Sequence, residues 1–151
     1  TGSPVRRINP AVKVEAVGPF DPDLERAYTE DSGELDRGFL YHRSQAARIG
    51  GQWLLAYLDS ELVGTTGWFI VSGVARFRRV ETFEPFRGQG VATTLIRHVQ
   101  DHPAVRAADV LAIFVNDDGP VRLYEQLGFR IAGRMWEAIR FLSEKRVPAP
   151  I

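Results

Sequence analysis

Glu84-Pro85-Phe86-Arg87-Gly88-Gln89-Gly90-Val91-Ala92-Thr93 is the stretch on which the fold turns. Upstream, Val74–Phe83 reads as a strand. Downstream, Val91, Leu95 and Val99, with Ala92 and Ile96, form a helical stripe. At such a junction the first N–H groups of the helix have no internal partner and point the same way. The helix dipole adds partial positive charge there. Gly88 and Gly90 let the backbone turn sharply and approach a ligand closely. Arg87 can add a charge-assisted bond. A junction built this way suits a phosphate group, although a Gly-rich turn that merely joins two elements has the same composition. A dinucleotide fingerprint fits less well. Its third glycine is replaced by Thr93, and the acidic residue expected about 20 positions on would be Asp109, which begins a strand instead of ending one. A P-loop is excluded, because no Gly-Lys-Ser/Thr follows.

Working outward, Trp53–Asp59, Leu62–Val71 and Val74–Phe83 read as three successive strands. Asp59-Ser60-Glu61 and Ser72-Gly73 are hairpin-length breaks, so these strands predict an antiparallel meander. Before it, Val12–Val17 predicts an opening strand. Asp21 and Pro22 then cap and start a short helix over Asp23–Thr29. A second helix is predicted over Glu34–Ile49, with Leu35, Phe39, His42, Ala46 and Ile49 on one face and Gly50-Gly51 at its end. After the glycine-rich junction, Pro103 ends the helix. Val110–Val115 predicts a central strand covered on both faces. Pro120 opens a last helix that Gly128 closes, and Phe129–Ile131 and Met135–Leu142 predict two final strands. The unit Val74–Val115 is strand, helix, strand, so its two strands should run parallel with a right-handed crossover. The expected fold is therefore α/β (α+β), with a mixed, mostly antiparallel sheet flanked by helices.

The 151 residues predict a single domain, with residues 1–10 and 146–151 as loose ends. Thr1-Gly2-Ser3-Pro4 reads as a processing remnant. Nineteen Lys and Arg balance nineteen Asp and Glu, which argues against a general nucleic-acid partner. Cys is absent, so disulfides, thiolate nucleophiles and Cys-based metal sites are excluded. No apolar run in the sequence has the length of a membrane span and no secretory h-region is visible, which makes the cytoplasm the expected compartment.

Arg87-Gly88-Gln89-Gly90-Val91-Ala92 matches the Gln/Arg-x-x-Gly-x-Gly/Ala signature of the GNAT superfamily of N-acetyltransferases. Asn116, Pro120, Leu123-Tyr124 and Leu127-Gly128-Phe129 resemble that family's second motif. The resemblance spans about Val12 to Leu142. It implies a sheet splayed between its fourth and fifth strands and acetyl-CoA as cosubstrate. Arg87, Gly88, Gln89, Gly90, Val91, Ala92 and Thr93 would hold the pyrophosphate. Val80, Glu81 and Thr82 would pair with the pantetheine arm and polarise the thioester carbonyl through a backbone N–H, and Asn116 would lie beside the cofactor. Arg97 or Arg122 would meet the 3′-phosphate unless each is simply a solvated helix residue.

The same resemblance makes Tyr124 the acid that protonates the departing thiolate. A phenol with pKa near 10 keeps its proton at neutral pH. By periodicity alone Tyr124 would be a packing residue against Val121 and Leu127. Glu81 is the candidate general base, and its alternative is a strand carboxylate paired with Arg78 or Arg79. The glutamate of histone-acetylating relatives has Arg76 as its nearest counterpart here, which departs from that mechanism; a water chain without a protein base is the remaining option.

Other residues carry weaker signals. His98 and His102, four apart, form an incomplete metal pair without an evident third ligand, and no metal is expected. His42 reads as helix packing. Asp31, Glu34 and Asp36 would favour a cationic amine or simply start a helix. Trp68, Trp136 and Tyr41 would wall an acceptor pocket or lie in the core. The sequence thus predicts direct transfer of an acetyl group from acetyl-CoA to a primary amine in a ternary complex, with room for a homodimer. The rival is a non-catalytic acyl-CoA-binding or regulatory domain on the same fold.

Overall fold

The computed structural model describes residues 7–29, 43, 45–46, 48–115 and 120–135. Five strands form one sheet in the order β1-β2-β3-β4-β5: β1 (Lys13–Val17), β2 (Gln52–Leu58), β3 (Glu61–Val71), β4 (Val74–Thr82) and β5 (Val110–Ala112). The first three pairings are antiparallel and β4–β5 is parallel, which matches the mixed sheet expected. The helices are α1 (Pro22–Thr29), α2 (Val91–Asp101), α3 (Pro103–Arg106) and α4 (Val121–Gln126). A 3₁₀ turn at Glu84–Phe86 links β4 to α2. Among the described residues, no helix is long and apolar enough to cross a membrane.

Strand alternation divides the core between the two faces of the sheet. On one face α2 lays Val91, Leu95, Ile96 and Val99 against Leu54, Ala56, Val63, Ala75 and Phe77, and Tyr124 and Leu127 join this cluster. On the other, α1 buries Leu24, Ala27 and Tyr28 against Trp53, Leu55, Leu62 and Phe83. Asp21 caps α1 as its sequence predicts: its Oδ1 accepts from Asp23 N at 2.9 Å and its carbonyl from Glu25 N at 3.2 Å. Tyr57 on β2 anchors the same turn, donating to Asp23 Oδ2 at 2.8 Å.

Three expectations need correction. The strand predicted over Val110–Val115 stops at Ala112, and Val110 and Phe114 stay about half exposed. An apolar run forms a strand only as far as a partner ladder follows it. The β4–β5 ladder runs through Val74↔Val110, Ala75↔Leu111 and Arg76↔Ala112, and then ends. Phe129–Ile131 is not a strand. Phe129 instead closes α4: its N–H donates to Tyr124 O at 3.0 Å, Gly128 N donates to Glu125 O at 3.0 Å, and Gly128 takes φ of 92°. This is a Schellman ending, and the Phe129 ring packs on Tyr124 to complete it. Asn9, within the stretch expected as a loose end, is also tied down. Asn9 N donates to Thr94 Oγ1 at 3.0 Å and Asn9 Nδ2 to Gln89 O at 2.8 Å, while its Oδ1 accepts from Ala11 N at 3.0 Å. The predicted helix over Glu34–Ile49 and the strand over Met135–Leu142 lie largely outside the described residues; Arg43, Gln45, Ala46 and Arg48 are helical.

The packing of residues 7–9 distinguishes two glycines with the same backbone sign. A Cβ on Gly90 (φ 81°) would stand 3.2 Å from Arg7 O and Asn9 Cβ, whereas one on Gly88 (φ 79°) would meet nothing within 4 Å. Gly88→Ala should therefore cost about 1 kcal/mol of left-handed strain alone. Gly90→Ala should cost about 2–3 kcal/mol, because the neighbouring chain must also move. Urea unfolding of the two variants checks the order. Burial, the Asp23 hydrogen bond and the surrounding carboxylates raise the Tyr57 pKa from 10.0 to about 12. The folded state then holds this proton more tightly than the unfolded one. Its contribution is complete below pH 10 and is lost as pH rises through about 12. Tyr57→Phe should lower stability by about 1 kcal/mol at neutral pH and flatten the alkaline decline, which Tm measured across pH would show.

Candidate functional site

The site begins where β4 and β5 part. Beyond Arg76↔Ala112, residues Phe77–Thr82 of β4 have no partner on the β5 side among the described residues. On the other side β4 stays paired to β3, but its register slips: Thr66↔Val80 is followed by Trp68↔Phe77. Two β3 steps thus face three β4 steps, which is a bulge at Arg78-Arg79. A bulge bends its strand and increases the local twist. It turns the end of β4 away from β5 and leaves a row of main-chain donors and acceptors along a cleft edge.

The glycine-rich loop lies at the end of that edge. Arg87 is extended (φ −65°, ψ 148°) and donates from Nε to Thr82 O at 3.3 Å, so its guanidinium folds back over the end of β4. Gly90 takes a left-handed conformation as the N-cap of α2. The first backbone bond of the helix runs from Thr94 N to Gly90 O at 3.0 Å, and Thr94 Oγ1 also donates to that carbonyl at 2.8 Å. Among the described residues, the N–H groups of Gly88, Gln89, Gly90, Val91, Ala92 and Thr93 have no backbone acceptor. Val91 and Thr93 are buried, so only their main chain is available to a ligand. Gln89 Nε2 bonds Pro85 O at 3.5 Å, steadying the turn.

The two catalytic candidates stand on opposite faces of β4. Val80 packs toward α2, and Glu81 points to the α1 face. The Glu81 side chain is only 10% exposed and is ion-paired with Arg79 Nε. That is the pairing foreseen as the alternative to a general base. Tyr124 is buried on the α2 face, held by the Schellman ending and by the Phe129 ring at 5.9 Å. Phe129 in turn lies 6.2 Å from Phe77, the first β4 residue beyond the β5 ladder, so Tyr124 is packed at the level where the strands separate. Thr82 Oγ1 is buried without a hydrogen-bond partner. Asn116, Trp136, Tyr41, His42, Asp31, Glu34 and Asp36 lie outside the described residues.

Other candidates are placed elsewhere. Arg97 and Arg122 lie on α2 and α4, the first half-buried and the second exposed. His102 leaves the helix as the cap of α3: its Nδ1 accepts from Ala104 N at 3.2 Å, and its ring lies 4.7 Å from Trp68. It therefore does not share a helical face with His98. Among the described residues, no group of three metal-ligating side chains occurs. A shallow concavity of about 520 Å³ lined by Val17, Gly51, Gln52, Trp68 and His102 lies at the C-terminal end of α2, away from the glycine-rich loop. Sequence reasoning missed Asn9 and Thr94, which brace the loop. The Asn9-Pro10 pair was a legible turn signal, but its partner 85 residues away was not.

Residues 19–129 match the model of the Acetyltransferase (GNAT) family. A search of the curated proteins finds no match. Among solved structures, the chain is similar to an acetyltransferase of Trypanosoma brucei (17% identity, 85% of this chain and 99% of that one, TM-score 0.69). It is also similar to a ribosomal-protein-alanine N-acetyltransferase of Brucella melitensis biovar Abortus 2308 (22% identity, 87% and 99%, TM-score 0.66). A third similar structure is AAC(6′)-Iy in complex with the bisubstrate analog CoA-S-monomethyl-acetylneamine (16% identity, 86% and 98%, TM-score 0.65). With a splayed sheet, a glycine-rich turn into α2 and a family match over most of its length, the chain belongs to the GNAT family of acetyltransferases.

Proposed function

We propose that this protein transfers an acetyl group from acetyl-CoA to a primary amine by direct attack in a ternary complex. The observation that carries the reading is the unpaired β4 edge from Phe77 to Thr82, leading into a loop of main-chain donors without acceptors. The residues present fit the coenzyme. The N–H groups of Gly88 through Thr93, with the α2 dipole behind them, suit a diphosphate. The open space over Gly88 leaves room for it. The free side of Val80, Glu81 and Thr82 suits the amides of the pantetheine arm, in the manner of an added strand. The orphan Thr82 hydroxyl supplies one more polar contact. Acetyl-CoA would supply an activated thioester. A β4 N–H directed at its carbonyl would favour the developing oxyanion over the ground state.

The chain's own residues divide the proton work. Tyr124 donates its phenolic proton to the departing thiolate from the α2 side of the gap. Glu81 receives the acceptor's proton on the α1 side, directly or through water, from its place beside Arg79. No Cys is present to form a thioester intermediate on the enzyme, which favours direct attack.

Acetyl-CoA should raise Tm by several degrees while NAD leaves it unchanged; the reverse result would overturn the coenzyme assignment. Tyr124→Phe should lower kcat by about 10²-fold or more while calorimetric affinity for acetyl-CoA holds, and full activity in this variant would remove the acid role. Glu81→Gln should lower kcat and shift its pH profile, whereas an unchanged profile would favour a water chain.

A further inference from the structure

β4 carries three arginines and one carboxylate toward the α1 face beside the gap. Arg79 is paired with Glu81. Arg76 lies over the Phe114 ring at 4.1 Å. Arg78 is half-buried between two rings, 5.7 Å from the Trp53 centroid and 6.0 Å from that of Phe69, and among the described residues it has no carboxylate partner. Among the described acids of α1, Asp23 is engaged with Tyr57 and Arg26, and Glu25 with Arg43. Burial lowers the Arg78 pKa from its ordinary value; Tyr28 works against this and the Arg76 charge adds to it. A guanidinium held this way pays for desolvation without the fork-to-carboxylate contact that normally offsets it. The sheet is built around this placement. Trp53 lies under the bulge because Gly67 has no Cβ, which would meet the Trp53 ring at 2.7 Å.

Among the described residues, no strand pairs with the β5 side of β4 beyond Arg76. A coenzyme gripped at the α2 N-terminus and threaded along β4 presents its reactive end toward Glu81, on the face where Arg78 waits. Arg78 and Glu81 are three residues apart on a bulged strand, within about 10 Å. This distance suits an amine and an anion joined by only a few bonds.

We propose that Arg78, seconded by Arg76, recognises a carboxylate on the acceptor, so that the substrate is a free amino acid or a similarly compact carboxylate-bearing amine. The inference rests on the acetyl-transfer reading above and deepens it by naming the substrate class. The planar guanidinium matches a carboxylate through two parallel hydrogen bonds. The paired Glu81 and Arg79 add no net charge to oppose it.

The test compares amino acids with their own amides and with a diamine, following thiol release from acetyl-CoA. Amides carry the less basic and more readily deprotonated amine, so a preference for the acids cannot come from amine reactivity. Wild-type enzyme should favour the acids in kcat/KM by about tenfold or more. Arg78→Gln should erase this preference, mainly through KM for the acid, with the KM for acetyl-CoA unchanged. Arg78→Lys should restore part of it, since charge remains but the fork is lost. Arg106→Gln, on the exposed α3 surface, serves as the control. Calorimetry with N-acetylated amino acids and their amides gives a readout independent of turnover. Binding of the acid form that disappears in Arg78→Gln would support the carboxylate site even if no acceptor were turned over. Preference for the diamine or the amides, or equal loss on acids and amides in a folded Arg78→Gln, would overturn the proposal while leaving acetyl transfer standing. Absence of acetyl-CoA binding would overturn the acetyl-transfer reading itself.

Discussion

The parting of β4 from β5 after Arg76↔Ala112 is the constraint on which the rest of the molecule depends. A parallel ladder that continued along β4 would satisfy its main chain and close the sheet. The bulge at Arg78-Arg79 prevents this by twisting β4 while it stays paired to β3 on either side of the bulge. The cost is a stretch of β4 without a strand partner on one side among the described residues, and unpaired backbone groups are rarely left so unless something else binds them. Among the described residues, the same parting leaves a strand edge, which under the proposed function takes a chain-like ligand that needs main-chain partners.

Under the proposed function, each face supplies a different part of the chemistry. On the α2 face, the left-handed Gly90 and the bracing contacts from Asn9 and Thr94 fix the direction in which the loop donors point. The Schellman ending of α4 fixes Tyr124 there as well, because the carbonyl of Tyr124 accepts the closing bond and its ring takes the closing contact. On the α1 face, Glu81 pairs with Arg79, while Arg76 and Arg78 lie against the Phe114 and Trp53 rings. In the proposed reaction, β4 therefore separates the face that would hold the coenzyme from the one that would select the acceptor.

Much of this was legible along the chain because its signals are local. Asp21-Pro22 marks a capped helix start, and Asp21 caps α1. The breaks at Asp59-Ser60 and Ser72-Gly73 mark hairpins, and Asp59, Ser60, Ser72 and Gly73 all take positive φ. Leu127-Gly128-Phe129 marks a helix end, which Gly128 and Phe129 form through short-range bonds. Errors arose where the decisive partner was distant. Val110–Val115 has strand composition throughout, yet only three residues find a ladder, because β4 has turned away. Phe129 has strand propensity, yet it serves the helix before it.

By itself the sequence determined the order of the elements, the mixed sheet, the glycine-rich entry to α2 and the resemblance to acetyltransferases, since periodicity, caps and turns act over a few residues. Only the tertiary structure decided which side of β4 each residue serves. The bulge shifts the alternation by one, so that Arg78 and Arg79 share a face with Glu81 while Val80 faces α2. No count along the chain reveals that shift, because it arises from how β4 pairs with β3.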